Sequence, residues 1–176
     1  MTDTSIPTAI AGTRHDHSRC ISSAMATARS LCAQKGVRLT ELREQVLHLI
    51  WQSHKPLGAY ELMEQLARET TRRVAPPTVY RALEFLLEQG LVHRINSLNA
   101  YIGCTHPRQE HATNFLICRH CGVAIEFASA TLETSLQASA GELGFAIEAH
   151  SIEVVGSCKR CADQRPTTSE GETREH

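Results

Sequence analysis

Cys118-Arg119-His120-Cys121 is answered, after thirty-six intervening residues, by Cys158-Lys159-Arg160-Cys161, and no other feature restricts the fold of this chain as much. Two thiolates separated by two residues can turn back on one metal ion, and two such pairs supply the four soft ligands of a closed tetrahedral zinc site. The alternatives are two disulfides or four scattered core thiols. Four cysteines leave no open position for a substrate, so such a site is a structural clamp and not a catalytic centre. It would bind the end of one strand to the chain near its C-terminus.

Compartment decides between zinc and disulfides. Residues 1–20, MTDTSIPTAIAGTRHDHSRC, are polar, lack the basic start and apolar run of a secretory signal, and are expected to form a disordered tail. His15, His17 and Cys20 read either as part of that tail or as a loose metal-binding patch. No apolar run approaches the roughly 18 residues that span a bilayer, so no membrane partner is expected. A cytoplasmic location follows, where seven cysteines serve as metal ligands more readily than as disulfides.

At 176 residues the chain suits two small domains. Its net charge of −1 is no signature of a nucleic-acid binder, but the charge is unevenly spread. Arg29 to Arg94 holds ten Lys/Arg against seven Asp/Glu, whereas Glu110 to Val155 holds one Arg against six acids. That asymmetry orients one end toward phosphates, or describes two ordinary solvated surfaces.

A helix is expected from Ile21 to about Lys35, ended by Gly36, with Cys32 as a small buried residue or a surface thiol. Three more follow. Thr40 is an N-cap before Leu42, Val46, Leu49 and Ile50, which recur at helical spacing. After the Lys55-Pro56-Leu57-Gly58 turn, Tyr60, Met63, Leu66 and Ala67 share one face of the next helix. Pro76-Pro77 opens the last, in which Val79, Leu83, Leu86 and Leu87 make the buried stripe, and Gly90 ends it. Thr78, Tyr80, Arg81 and Glu84 are left on the other side. An Arg near the start of a short helix suits a major groove, where it can donate two hydrogen bonds to guanine; a solvated amphipathic face has the same pattern.

Leu91–Ile95 and Ala100–Gly103 alternate as two strands around Asn96-Ser97-Leu98-Asn99. Three helices and such a hairpin make a winged helix-turn-helix. Beyond a turn-rich stretch, strands are expected at Asn114–Ile117, Val123–Phe127 and Phe145–Val155, with a helix at Thr131–Gly141. The fold class is therefore α+β. A winged-helix domain spans 21–104, a hinge 105–113 and a small α/β domain carrying the cysteine knuckle 114–161, before a disordered tail at 162–176.

His93, Cys104, His111 and Glu126 form a looser set, with imidazole, thiolate and carboxylate donors that suit tetrahedral zinc better than a hard cation. Spacing leaves the other reading open: a surface histidine, a buried cysteine and a solvated glutamate.

The run Pro76-Pro77-Thr78-Val79-Tyr80-Arg81-Ala82-Leu83, then Leu86-Leu87-Glu88-Gln89-Gly90-Leu91-Val92-His93 and Phe115-Leu116-Ile117-Cys118-Arg119-His120-Cys121-Gly122, resembles the ferric uptake regulator family, with Val37-Arg38-Leu39-Thr40 and Arg43 in support. The match covers residues 22 to 161, and its branch looks like the zinc uptake regulators. This resemblance implies a homodimer that binds a palindromic double-stranded DNA operator when zinc-loaded and represses zinc-uptake genes, and it implies no enzyme. It implies two Zn2+ per chain: a structural ion at Cys118, Cys121, Cys158 and Cys161, and a regulatory ion at His93, Cys104, His111 and Glu126, with His106 the nearest competitor for His111. It also puts Tyr60 and Arg81 at positions used for DNA contact, alongside Thr78 and Tyr80 on the same face as Arg81. An iron or manganese sensor of the same family, or a zinc-stabilised redox or enzyme module, are the rival readings; Gln109-Glu110-His111-Ala112-Thr113 stands where iron sensors carry a His-rich run.

Overall fold

Apolar periodicity and a few turn residues build the N-terminal half. The computed structural model describes residues 17–69, 74–108 and 113–164. Its first elements are the helices α1 (His17–Gln34) and α2 (Glu41–Trp51), the short strand β1 (Leu57–Gly58), and the helices α3 (Ala59–Glu69) and α4 (Pro76–Glu88). Val46, Leu49 and Ile50 of α2 meet Leu62 and Leu66 of α3 and Val79, Leu83 and Leu86 of α4 in one core, all 2% exposed or less. Truncating any of the leucines to alanine would cost about 2–5 kcal/mol. Arg29 of α1 joins Glu44 of α2 at 2.7 Å across the surface of this bundle.

Several expectations are corrected here. The first helix begins at His17, so Ser18 to Cys20 are helical and not tail, and Cys20 and Cys32 are both core residues at 6% and 2% exposure. Cys20 belongs to no cluster of metal-ligating groups among the described residues; His15 lies outside them. On α3 the buried face is Ala59, Leu62 and Leu66, while Tyr60 is 76% exposed and Ala67 is exposed too. Tyr60 therefore points to solvent, which is where a DNA contact has to be. Leu57-Gly58 is a strand and not only a turn, because β3 offers it a partner edge.

Two further strands, β2 (Val92–Ile95) and β3 (Ala100–Gly103), form the wing hairpin, and β1 completes an antiparallel sheet in the order β1-β3-β2. The entry into β2 is set by how α4 ends. Gly90 takes φ +68, a conformation that costs glycine little, and Leu91 N donates to Leu86 O while Gly90 N donates to Leu87 O. The chain then turns straight into β2, which fixes where His93 stands. At the wing tip Asn99 takes φ 47, one of the few residue types that tolerate it, and its Oδ1 accepts from Arg94 at 2.7 Å.

The C-terminal half holds β4 (Thr113–Cys118), β5 (Ala124–Phe127), α5 (Ala130–Glu142), β6 (Ser151–Gly156) and α6 (Lys159–Asp163). Its sheet runs β5-β4-β6, with β4 antiparallel to β5 and parallel to β6. The long strand expected from Phe145 is corrected: strand begins only at Ser151. β5 already carries the chain back to the edge where β4 starts, and α5 with residues 143–150 joins it to β6 at that same edge. His150 ties this connection down by a 3.0 Å contact to Glu133 of α5. The C-terminal tail begins later than expected as well, since Ala162 and Asp163 belong to α6.

One face of this sheet is turned to the wing. Phe115, Ile117 and Ala124 pack with the wing's Ile95 and Ile102 in a second apolar cluster, and Phe115 is fully buried. Ala124 N also donates to His54 O, beyond the end of α2, at 3.2 Å. The two halves thus share a packed seam.

Candidate metal centre

The two cysteine pairs come together as their spacing predicts. Cys118 ends β4 and Cys158 caps the start of α6; with Cys121 and Cys161 their sulfurs all lie within 4.8 Å of one another. Cys121 Sγ and Cys158 Sγ are 3.7 Å apart, and a Zn–S distance of about 2.3 Å puts tetrahedral sulfurs about 3.8 Å apart. None of the seven cysteines is in a disulfide. Backbone amides aim at the sulfurs: Cys158 N donates to Cys118 Sγ at 3.3 Å. Donation from Cys158, Cys121 and His120 holds the Cys118 thiol well below its ordinary range, and the amide of Val123 lowers Cys121. Cys161 is pushed upward, first by its hydrogen bond with Cys158. Polarised thiols at this spacing fit a zinc ion.

The second set forms across the seam. His93 comes from β2, Cys104 follows β3, and Glu126 sits on β5; one donor atom from each lies within 4.8 Å of the others. His93 Nε2 is 3.0 Å from Glu126 Oε1, and the imidazole stands edge-on to Phe115 with centroids 5.9 Å apart. Glu126 is 9% exposed and Cys104 1%. Burial acts to raise the Glu126 carboxyl, but hydrogen bonds and charge from His93 and two donations from Thr105 outweigh it and hold the group at about 2. The buried Cys104 thiol is pushed up to about 12, by burial first and then by the Glu126 carboxylate. A carboxylate, an imidazole and a thiol gathered at one buried point have the mixed donor chemistry of a zinc site.

Residues 109–112 lie outside the described part of the chain, and the expected ligand His111 lies among them. Its competitor His106 is described, and its backbone amide donates to Cys104. His106 Nδ1 is 2.9 Å from Thr105 Oγ1, and His106 is absent from the group that gathers around Cys104. Thr105 is the residue that sequence reasoning missed. Its amide and hydroxyl both donate to Glu126 Oε2, at 3.1 and 2.7 Å, which leaves Oε1 to His93. No spacing rule marks a threonine after a cysteine as a carboxylate's anchor, so the sequence carried no signal for it.

On α4 the split holds except at Leu87, which is only half-buried: Val79, Leu83 and Leu86 are buried, with Ala82 and Phe85, while Thr78, Tyr80, Arg81 and Glu84 are exposed. Residues 34–155 match the model of the ferric uptake regulator family. The chain belongs to the ferric uptake regulator family. Within it, the chain groups with the zinc uptake regulators. It is 39% identical over 140 residues to the zinc uptake regulation protein of Escherichia coli K12, covering 79% of this chain and 81% of that one. Among solved structures it is similar to a zinc uptake regulator complexed with zinc and DNA (TM-score 0.76, 39% identity, 81% of this chain and 95% of that one). It is also similar to holo XcZur (TM-score 0.71, 43% identity, 81% and 99%). These family members are regulators and not enzymes, and their fold is the winged-helix and α/β pair described above. Among the described residues no helix is long and apolar enough to cross a membrane.

Proposed function

We propose that this protein is a cytoplasmic, homodimeric repressor of zinc-uptake genes that binds palindromic operators when loaded with two zinc ions per chain. The observation that carries this reading is the meeting of His93 and Cys104, from the wing side of the seam, with Glu126 from the C-terminal sheet. Bound zinc would supply a Lewis-acid centre that accepts these donors together with His111. Cys118, Cys121, Cys158 and Cys161 would hold the second, structural ion.

His93 and Cys104 move with the helices that read DNA, and Glu126 moves with the C-terminal sheet. Holding them at one point selects one arrangement of the two halves, which is how occupancy becomes a DNA-binding state. In a dimer that arrangement places two copies of α4 at successive major grooves, about 34–36 Å apart. Arg81 would read base edges, with Thr78, Tyr80 and Tyr60 beside it on exposed surface. Leu116 and Val154, paired in register on the outer face of the C-terminal sheet, are each 45% exposed, and of α5 only Ala140 is buried. A second copy of this chain would cover that apolar face, with residues 105–113 as the hinge between 21–104 and 114–161.

A gel shift on an A·T-rich palindromic duplex, run across buffered free zinc and with a chelator, tests the proposal alongside the zinc content per chain. Binding that rises with zinc and vanishes with chelator is expected. Equal affinity with and without zinc overturns it.

A further inference from the structure

The wing is tied to the C-terminal sheet at a second place, by a group outside both metal sets. Glu153 of β6 accepts from Asn96 N at 2.6 Å and from Ser97 N at 3.0 Å, and the Ser97 hydroxyl donates to it too. Both amides belong to the turn between β2 and β3, at the far end of the hairpin from Cys104. A carboxylate that accepts from several donors makes charge-assisted bonds, stronger than neutral ones.

The hairpin is short and its two strands are paired along their whole length, which couples its tip to its base. His93 pairs with Ile102, Val92 with Gly103, and Cys104 N donates to Leu91 O at 3.0 Å. Between tip and base, Ile95 and Ile102 press on Phe115. Anchoring the tip at Glu153 therefore holds the hairpin that carries His93 at its base against the sheet that carries Glu126.

We infer that Glu153 is a positioning residue, a latch independent of metal that pre-assembles the seam site and so sets the zinc concentration at which the protein responds. Apparent affinity is the intrinsic affinity multiplied by the fraction of molecules whose donors already face one another. Glutamine at 153 keeps the size of the side chain but presents an NH2 where one amide donor needs an acceptor, so not all of these bonds can survive. The latch lowers the free zinc needed without being a ligand. Its regulatory consequence rests on the zinc-responsive reading above; the latch itself does not.

The test uses full-length wild-type chain and Glu153→Gln. Zinc occupancy is followed by competition with a chromophoric chelator, and amide exchange at Asn96 and Ser97 by NMR in chain that retains only its knuckle zinc. The variant should need about three- to tenfold more free zinc to half-fill the second site. It should keep its knuckle zinc, bind the operator like wild type once saturated, and exchange the Asn96 and Ser97 amides faster. A purely structural role would instead weaken saturated DNA binding or the knuckle. Unchanged half-occupancy overturns the inference, and so does unchanged exchange. Should the variant not fold, wild type still decides: Asn96 and Ser97 amides exchanging at open-coil rates mean there is no latch. If wild-type DNA binding proves indifferent to zinc, the functional proposal fails while the exchange and occupancy measurements still judge Glu153.

Discussion

Glu126 and Glu153 stand in one row across the C-terminal sheet, each register-paired with Phe115 between them, and both reach over the seam to the wing. Glu126 meets the base of the wing at His93 and Thr105, and Glu153 meets its tip at Asn96 and Ser97. Phe115 fills the space between with apolar contact to Ile95 and Ile102. A single row of side chains thus carries the joint between the DNA-reading half and the rest of the molecule.

Cys104→Ser should separate the two metal sites. Serine lacks the soft donor that suits zinc, while the four knuckle cysteines are untouched. On the two-site proposal, zinc content should fall by one ion per chain, with the fold retained, and operator binding should lose its zinc response. A variant that still responds fully to zinc would place the sensor elsewhere.

Thr105→Val keeps the backbone donation to Glu126 but removes the 2.7 Å bond from the hydroxyl. Loss of a ligand's outer partner weakens metal binding, here by about tenfold, at the lower end for such groups because one donation remains. Zinc competition reads this, and knuckle occupancy should not change.

Zinc uptake at the seam should release at least one proton. The metal-free Cys104 thiol, pushed up to about 12, is protonated near neutral pH, and zinc takes the thiolate. Apparent affinity therefore rises as pH rises, by about tenfold per pH unit for each proton displaced, and falls as pH falls. Titrations in buffers across neutrality, with calorimetric proton counting, check both sign and slope.

Arg81→Ala removes an exposed guanidinium from α4 without touching the core. If Arg81 reads bases, operator affinity should drop by about 1–3 kcal/mol while binding to random duplex changes little. Equal loss on both duplexes would make it a phosphate contact.

Gly103→Ala tests the packing beside the seam. A Cβ at this position would overlap the indole of Trp51, which is buried at 6% exposure. Thermal unfolding should show a loss of about 1–3 kcal/mol, and zinc affinity at the neighbouring Cys104 should fall with it.

Most of the element order was legible along the chain, because helical and strand periods and capping residues are local. The two cysteine pairs were legible for the same reason: two residues between thiols is a property of sequence, whereas the meeting of the pairs is a property of the fold. Tyr60 and the strand expected from Phe145 misled because their environment depends on what lies opposite, and β1 hid because two residues carry no period. The seam set could be listed from residue type but not distinguished from surface histidine and solvated glutamate. What brings His93, Cys104 and Glu126 together is the packing around Phe115 between two sheets distant in sequence, and the contacts of Thr105 and Glu153 exist only there. Sequence alone determined which groups can bind metal; tertiary structure decided which of them meet, since a buried contact across two domains depends on packing that no local pattern records.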